Sequence, residues 1–127
     1  MQKILFSFCI CLITLSAHAL NGRIYSSEQL ASSSVKKIHQ DNYGFIWIAT
    51  DYGLSKFDGY HFQNYYHVHR DSTTLPDNNI GSMLTDRNGN LWIGQGKGLV
   101  RYDYASDCFI RQLFPNGVTP RVISLIV

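Results

Sequence analysis

Between residues 35 and 66 the apolar positions fall into four short runs, at 35–40, 45–49, 54–58 and 61–66, separated by turn-forming residues. Each run has strand length. In the second, Phe45, Trp47 and Ala49 alternate with Ile46 and Ile48, so the predicted strand is apolar on both faces. Such a strand has to be covered from two sides, which points to sheets packed face to face. The first turn opens on Asp41, whose carboxylate can accept from backbone amides, and closes on Gly44, which tolerates positive φ. Asp51-Tyr52-Gly53 supplies the second turn and Gly59 the third.

The pattern returns 45 residues later. Residues 40–58 align without a gap on 85–103, and seven pairs are identical: Asp41/Asp86, Gly44/Gly89, Trp47/Trp92, Ile48/Ile93, Gly53/Gly98, Leu54/Leu99 and Asp58/Asp103. Ile46/Leu91, Lys56/Arg101 and Phe57/Tyr102 are like for like. The strands predicted in the second copy are 80–85, 91–94, 99–103 and 108–114, and residues 69–79 have the composition of a connection. A third unit opens at 122–126, which echoes 80–84. A period of roughly 40 to 50 residues built from strands and turns is that of a propeller blade. The expected architecture is therefore an all-β propeller segment. It has two four-stranded blades, at about 34–68 and 79–114, and the first strand of a third at about 121–127. In it Trp47 and Trp92 are expected in the core between blades rather than as sugar-stacking platforms. Gly53 and Gly98 are expected as turn residues.

The first 19 residues read differently. Lys3 is followed by a largely apolar run at 4–15 and by Ala17-His18-Ala19, the small-x-small pattern of a signal peptidase site. Twelve such residues are too few for a permanent membrane span, which needs about 20. A mature chain beginning at Leu20 and exported to the periplasm is the expectation. Removal of the leader takes Cys9 and Cys11 with it, leaving Cys108 without an intramolecular disulfide partner.

The run Asp-x-x-Gly-x-[Leu/Ile]-Trp-[Ile/Val]-[Gly/Ala]-x-x-x-Gly-Leu-x-[Lys/Arg]-aromatic-Asp, present at 41–58 and 86–103, resembles the two-component regulator propeller repeat. The resemblance extends over residues 23–127 and includes Phe57-Asp58-Gly59-Tyr60. Ala49 stands where the family has Gly, and Gln95 where it has Thr. The resemblance implies the periplasmic sensor region of a hybrid two-component histidine kinase anchored in the inner membrane, its propellers perceiving a ligand, often a glycan. The kinase itself is not expected in this chain. Further blades of the same sensor and a carbohydrate are the implied partners. A free-standing propeller binding module, or part of a propeller lyase or hydrolase, is the alternative.

Charge and side-chain chemistry narrow the function without fixing a ligand. Eleven basic and nine acidic residues, net +2, are spread along the chain without the basic stripe of a nucleic-acid surface. Asp86-Arg87-Asn88-Gly89-Asn90 looks like the start of a calcium loop, but Lys97 stands where the bidentate Glu belongs, so a hairpin turn is expected. Gly94-Gln95-Gly96-Lys97-Gly98 lacks the spacing of a phosphate loop. His61, His67 and His69 would share a face on one continuous strand and could then hold a metal; solvated histidines without metal are the expectation. No catalytic constellation and no cofactor site is predicted. If a glycan binds, positions that differ between the repeats should contact it. Tyr43, Tyr52 and Tyr60 are the candidates, because their counterparts Asn88, Lys97 and Ala105 are not aromatic.

Overall fold

The computed structural model describes residues 22–114; the expected leader at 1–19 and the expected strand at 121–127 lie outside them. Eight strands follow one another: β1 Val35–Gln40, β2 Ile46–Thr50, β3 Leu54–Phe57, β4 Phe62–Tyr65, β5 Ile80–Thr85, β6 Leu91–Gln95, β7 Gly98–Asp103 and β8 Cys108–Arg111. They form two antiparallel sheets ordered β1-β2-β3-β4 and β5-β6-β7-β8, with residues 66–79 passing from one to the other. Among the described residues no helix is long and apolar enough to cross a membrane.

The strands stand close to where the apolar runs put them, and the differences have local causes. β2 starts at Ile46 rather than Phe45 because the Phe45 carbonyl is used to close the turn, accepting from Asp41 N at 3.0 Å. β4 is shorter than 61–66 because the His61 carbonyl accepts from Asp58 N across the β3–β4 turn. The last strand ends at Arg111 rather than reaching 114.

Packing shows which face of each sheet finds a neighbour. In the first sheet the fully buried apolar residues are Trp47, Ala49 and Leu54, which the register β2/β3 puts on one face. In the second they are Ile80, Leu91, Ile93, Val100, Tyr102 and Phe109, on the face opposite to that of Trp92. The two sets, with Leu75 from the connection, form one core between the sheets. Of the repeat partners of the second set, Ile46, Ile48 and Phe57 are only half-buried, Val35 and Asn64 are exposed, and Ser55 is buried under the N-terminal segment; Ile38 is 67% exposed. Trp92, the partner of Trp47, is likewise half-buried, because its face is turned away from the first sheet. Equivalent positions of the two repeats thus differ in burial chiefly according to whether a neighbouring sheet covers them. This is the packing of consecutive propeller blades, in which the same two faces meet at every step.

The first strands of the sheets are adjacent, joined by His39 Nε2 and Thr85 Oγ1 at 2.7 Å. The outward face of the first sheet is partly covered by the N-terminal segment. Tyr25 packs edge-on against Phe57 and Phe62 at 4.8 and 5.5 Å, and Ala31 N donates to Ser55 Oγ at 2.8 Å. Gly53 holds the β2–β3 turn against the connection at φ +107, its N–H donating to Asn78 O at 2.8 Å. A Cβ there would lie 2.7 Å from the Tyr65 carbonyl oxygen, so conformation and space both require glycine.

Candidate functional site

The repeated Asp and Trp form one device. Asp41 Oδ1 accepts from Tyr43 N and Phe45 N at 2.9 and 3.0 Å, while Oδ2 accepts from Trp47 Nε1 at 2.7 Å. The carboxylate therefore sets both the turn and the orientation of the indole. Asp86 does the same through Asn88 N, Asn90 N, Asn90 Nδ2 and Trp92 Nε1, all within 2.9 Å. Its oxygens hold the β5–β6 hairpin turn and the Trp92 indole.

Hydrogen bonds from the Trp92 indole and the Asn90 amide pull the Asp86 carboxyl down to about 2 from an ordinary 3.8. Its folded pKa is depressed, so its contribution to stability is complete above the ordinary value and is lost as pH falls toward the folded one. The gap in urea midpoint between the wild type and Asp86→Asn is accordingly expected to close between about pH 4 and pH 2. A gap that stays constant over that range would contradict the assignment.

A second polar group bridges the two sheets. Lys56 Nζ donates to Tyr102 OH at 2.8 Å and lies 3.7 Å from Asp107 Oδ1. Asp107 also accepts from Tyr65 OH and Gln63 Nε2 at 2.6 Å each, and from Tyr102 OH. The ammonium stands 5.1 to 5.7 Å from the ring centres of Phe45, Trp47, Tyr65 and Tyr102, an aromatic cage that favours a cation. Burial, then the bond to Asp107, raises the Tyr65 and Tyr102 phenols well above their ordinary value, so both stay neutral donors. Burial works to raise Asp107 as well but is outweighed by Tyr102, Tyr65, Gln63 and Lys56, which keep it ionised. With every group satisfied internally, this cluster clamps one blade to the next.

The candidate ligand contacts are not gathered at one place. Antiparallel order puts the β1–β2 and β3–β4 turns, carrying Tyr43 and Tyr60, at one end of the first sheet, and the β2–β3 turn, carrying Tyr52, at the other. Tyr43 is 65% exposed but packs on Tyr104 at 4.4 Å, and Tyr104 OH donates to Asp41 Oδ2 at 2.7 Å. Tyr60, 74% exposed, stands beside Gly59, whose carbonyl accepts from Tyr25 OH at 3.3 Å. Tyr52, 60% exposed, pairs with Tyr66 at 6.2 Å.

The histidines are divided in the same way. β4 ends at Tyr65, so the continuous strand that would align them does not extend to His67. His61 lies in the β3–β4 turn, 3.8 Å from Asp58. His67 and His69 belong to the connection at the opposite end, where His67 Nδ1 lies 2.7 Å from Leu75 O. Among the described residues no three His, Cys, Asp or Glu side chains are placed to hold a metal ion. Cys108 is a free thiol, half-buried, its Sγ 3.3 Å from the Ser106 carbonyl oxygen.

Lys56, Tyr102 and Asp107 are the interacting residues that sequence reasoning missed. The Lys56/Arg101 equivalence at a strand position otherwise held by apolar neighbours was the available signal.

Comparison with known proteins agrees with this geometry. The family model described as two component regulator propeller matches residues 29–52 and 74–96, one stretch in each repeat. Histidine kinase P4 of Formosa agariphila is 39% identical over 77 residues, 57% of this chain and 5% of that protein. The extracellular domain of the hybrid two-component system BT3049 of B. thetaiotaomicron superposes with a TM-score of 0.63 at 33% identity, over 79% of this chain and 14% of that one. The chain thus spans a small part of each.

Proposed function

We propose that this chain, which belongs to the two-component regulator propeller family through its two matched repeats, is a sensing segment of the extracytoplasmic region of a two-component system. The observation that carries the reading is its 33% identity and shared fold with the extracellular domain of a hybrid two-component system. Its own residues support a binding rather than a chemical role. Asp41, Asp86 and Asp107 are committed to turn and inter-blade hydrogen bonds, which leaves them poor candidates for acid or base work. Signal transfer to a kinase would then depend on parts of the receptor beyond these blades.

Export follows the leader at 1–19, and the ligand is a glycan that engages exposed tyrosines at the ends of the blades, Tyr52 foremost. The experiment has two parts. Intact mass of protein recovered from the periplasm should correspond to a chain beginning at Leu20; retention of Met1 and the apolar run would remove the export reading. Glycan affinity of the full-length protein should fall with Tyr52→Ala, and unchanged affinity with both Tyr52→Ala and Tyr43→Ala would take those residues out of the site.

A further inference from the structure

The connection between the blades builds a feature that the repeat motif does not explain. At the end of the molecule that carries the β2–β3 and β6–β7 turns lies an open cavity of about 430 Å³, lined by His67, His69, Arg70, Asp71, Lys97 and Arg111. Three full positive charges and two imidazoles therefore face a single carboxylate. That carboxylate is already engaged, since Asp71 Oδ1 accepts from Thr73 N at 2.9 Å and Thr73 Oγ1 at 2.6 Å. Among the described residues the ion pairs involve Lys56, His61 and Arg101, so Arg70, Lys97 and Arg111 form none. Asp71 offsets part of the Arg111 charge, and Arg111 Nη2 donates to the Asp71 backbone oxygen at 3.5 Å, but one carboxylate does not neutralise three cations, and an anion in the cavity relieves the repulsion that remains.

The loop is held in shape before any ligand arrives. His67 N donates to Asn78 Oδ1 at 2.6 Å, Val68 N to Thr74 Oγ1 at 3.0 Å and Asp71 N to Val68 O at 3.2 Å. Phe109 N donates to Thr73 O at 2.8 Å, which ties the connection to β8 and brings Arg111 to the rim. Arg70 sits at φ +64, a left-handed conformation that a side-chain-bearing residue rarely adopts and that the turn around it enforces.

Aromatic surface lies at the same end. Tyr66 immediately precedes His67, and Tyr52, 6.2 Å from it, is tied to the connection by the bond from Gly53 N to Asn78 O. Aromatic rings offer faces to sugar rings, and guanidinium and ammonium groups offer bonds to an acidic substituent. Three cations in one pocket are too few and too local for a nucleic-acid track.

We propose that this basic pocket binds the carboxylate or sulfate group of an acidic oligosaccharide whose sugar rings lie along Tyr52 and Tyr66. The proposal rests on the glycan-sensing reading above and names its ligand class.

The test is calorimetric titration of the full-length protein with three probes: an oligogalacturonide, a chondroitin sulfate oligosaccharide and neutral maltotetraose. Binding of at least one charged probe, weakened by added salt and about tenfold weaker in the double variant Arg70→Asn/Lys97→Gln, is the expected result. The charged probe that binds identifies carboxylate or sulfate as the recognised group. Arg87→Gln, which removes a cation from the β5–β6 turn at the other end, should leave the affinity unchanged. Both variants alter exposed side chains, and an unchanged thermal transition confirms that they fold. Charged probes bound equally well by the double variant, or maltotetraose bound as tightly as either, would overturn the pocket while leaving glycan sensing intact. No binding of any probe would overturn both.

Discussion

Replacing Trp47 with alanine is expected to lower folding stability by about 3–5 kcal/mol, the range for removing a large buried aromatic. The indole is fully buried between the sheets, edge-on to Tyr102 at 4.7 Å and stacked near Tyr65 at 5.9 Å. Its Nε1–H satisfies Asp41, and its face forms part of the cage around Lys56. Alanine would leave a cavity at the joint between blades, an Asp41 oxygen short of one donor and a half-open cage for a cation that is itself largely buried. Trp92→Ala, at the same repeat position, is expected to cost about 1 kcal/mol within the unit, because that ring is only half-buried. Urea unfolding at fixed protein concentration, followed by circular dichroism, measures both. Equal losses at the two tryptophans would mean that the inter-blade core is misidentified.

That asymmetry marks where the sequence stops being informative. The alternation at 45–49 and the Asp and Gly turn residues, seen twice at one spacing, locate strands and turns, and β1 and β5 have the limits the apolar runs gave them. They also show that both faces of each sheet need cover. They cannot say which copy is covered, because Ile46-Trp47-Ile48 and Leu91-Trp92-Ile93 are nearly the same and burial depends on the neighbour. The clamp between blades was hidden for another reason. Asp107 is not a repeat position, it turns toward Lys56 from a residue with φ +55, and only the packed sheets bring the two together. The basic pocket draws Arg70, Lys97 and Arg111 from the connection, the β6–β7 turn and the end of β8, which sequence order keeps apart. The separation of Tyr52 from Tyr43 and Tyr60, by contrast, follows from strand alternation alone: successive turns of an antiparallel sheet lie at opposite ends.

The second large effect is self-association of the chain expressed without residues 1–19. Among the described residues each outward face is one half of the interface already formed between the blades, that of the first sheet being partly covered by the N-terminal segment. Ile38, Ile46, Ile48 and Phe57 on the first sheet correspond to Met83, Leu91, Ile93 and Tyr102, which the Trp47 face covers. Trp92, Gly94, Leu99 and Arg101 on the second correspond to Trp47, Ala49, Leu54 and Lys56, which do the covering. The open face of the first sheet already forms an apolar groove, floored by Ile38, Ile46, Ile48 and Phe57 beneath Tyr25 and Leu30. Burying even a few hundred Å² of it at about 25 cal/mol per Å² gives several kcal/mol. That is comparable with the roughly 5 to 15 kcal/mol that hold a small domain together. Because the two faces differ, copies join head to tail, a contact that runs on until a ring closes.

The central claim, that the Trp-bearing face of one blade is built to cover the Ile-bearing face of the next, is tested most directly by sedimentation velocity on four samples. The leaderless chain should form concentration-dependent oligomers, and Ile48→Glu and Trp92→Glu should each be monomeric, since each has lost one of the two faces. An equal mixture of the two variants should give a dimer and nothing larger, because the intact Trp92 face of one meets the intact Ile48 face of the other. A monodisperse wild-type monomer with a cooperative thermal transition, or a mixture that stays monomeric, would contradict the claim.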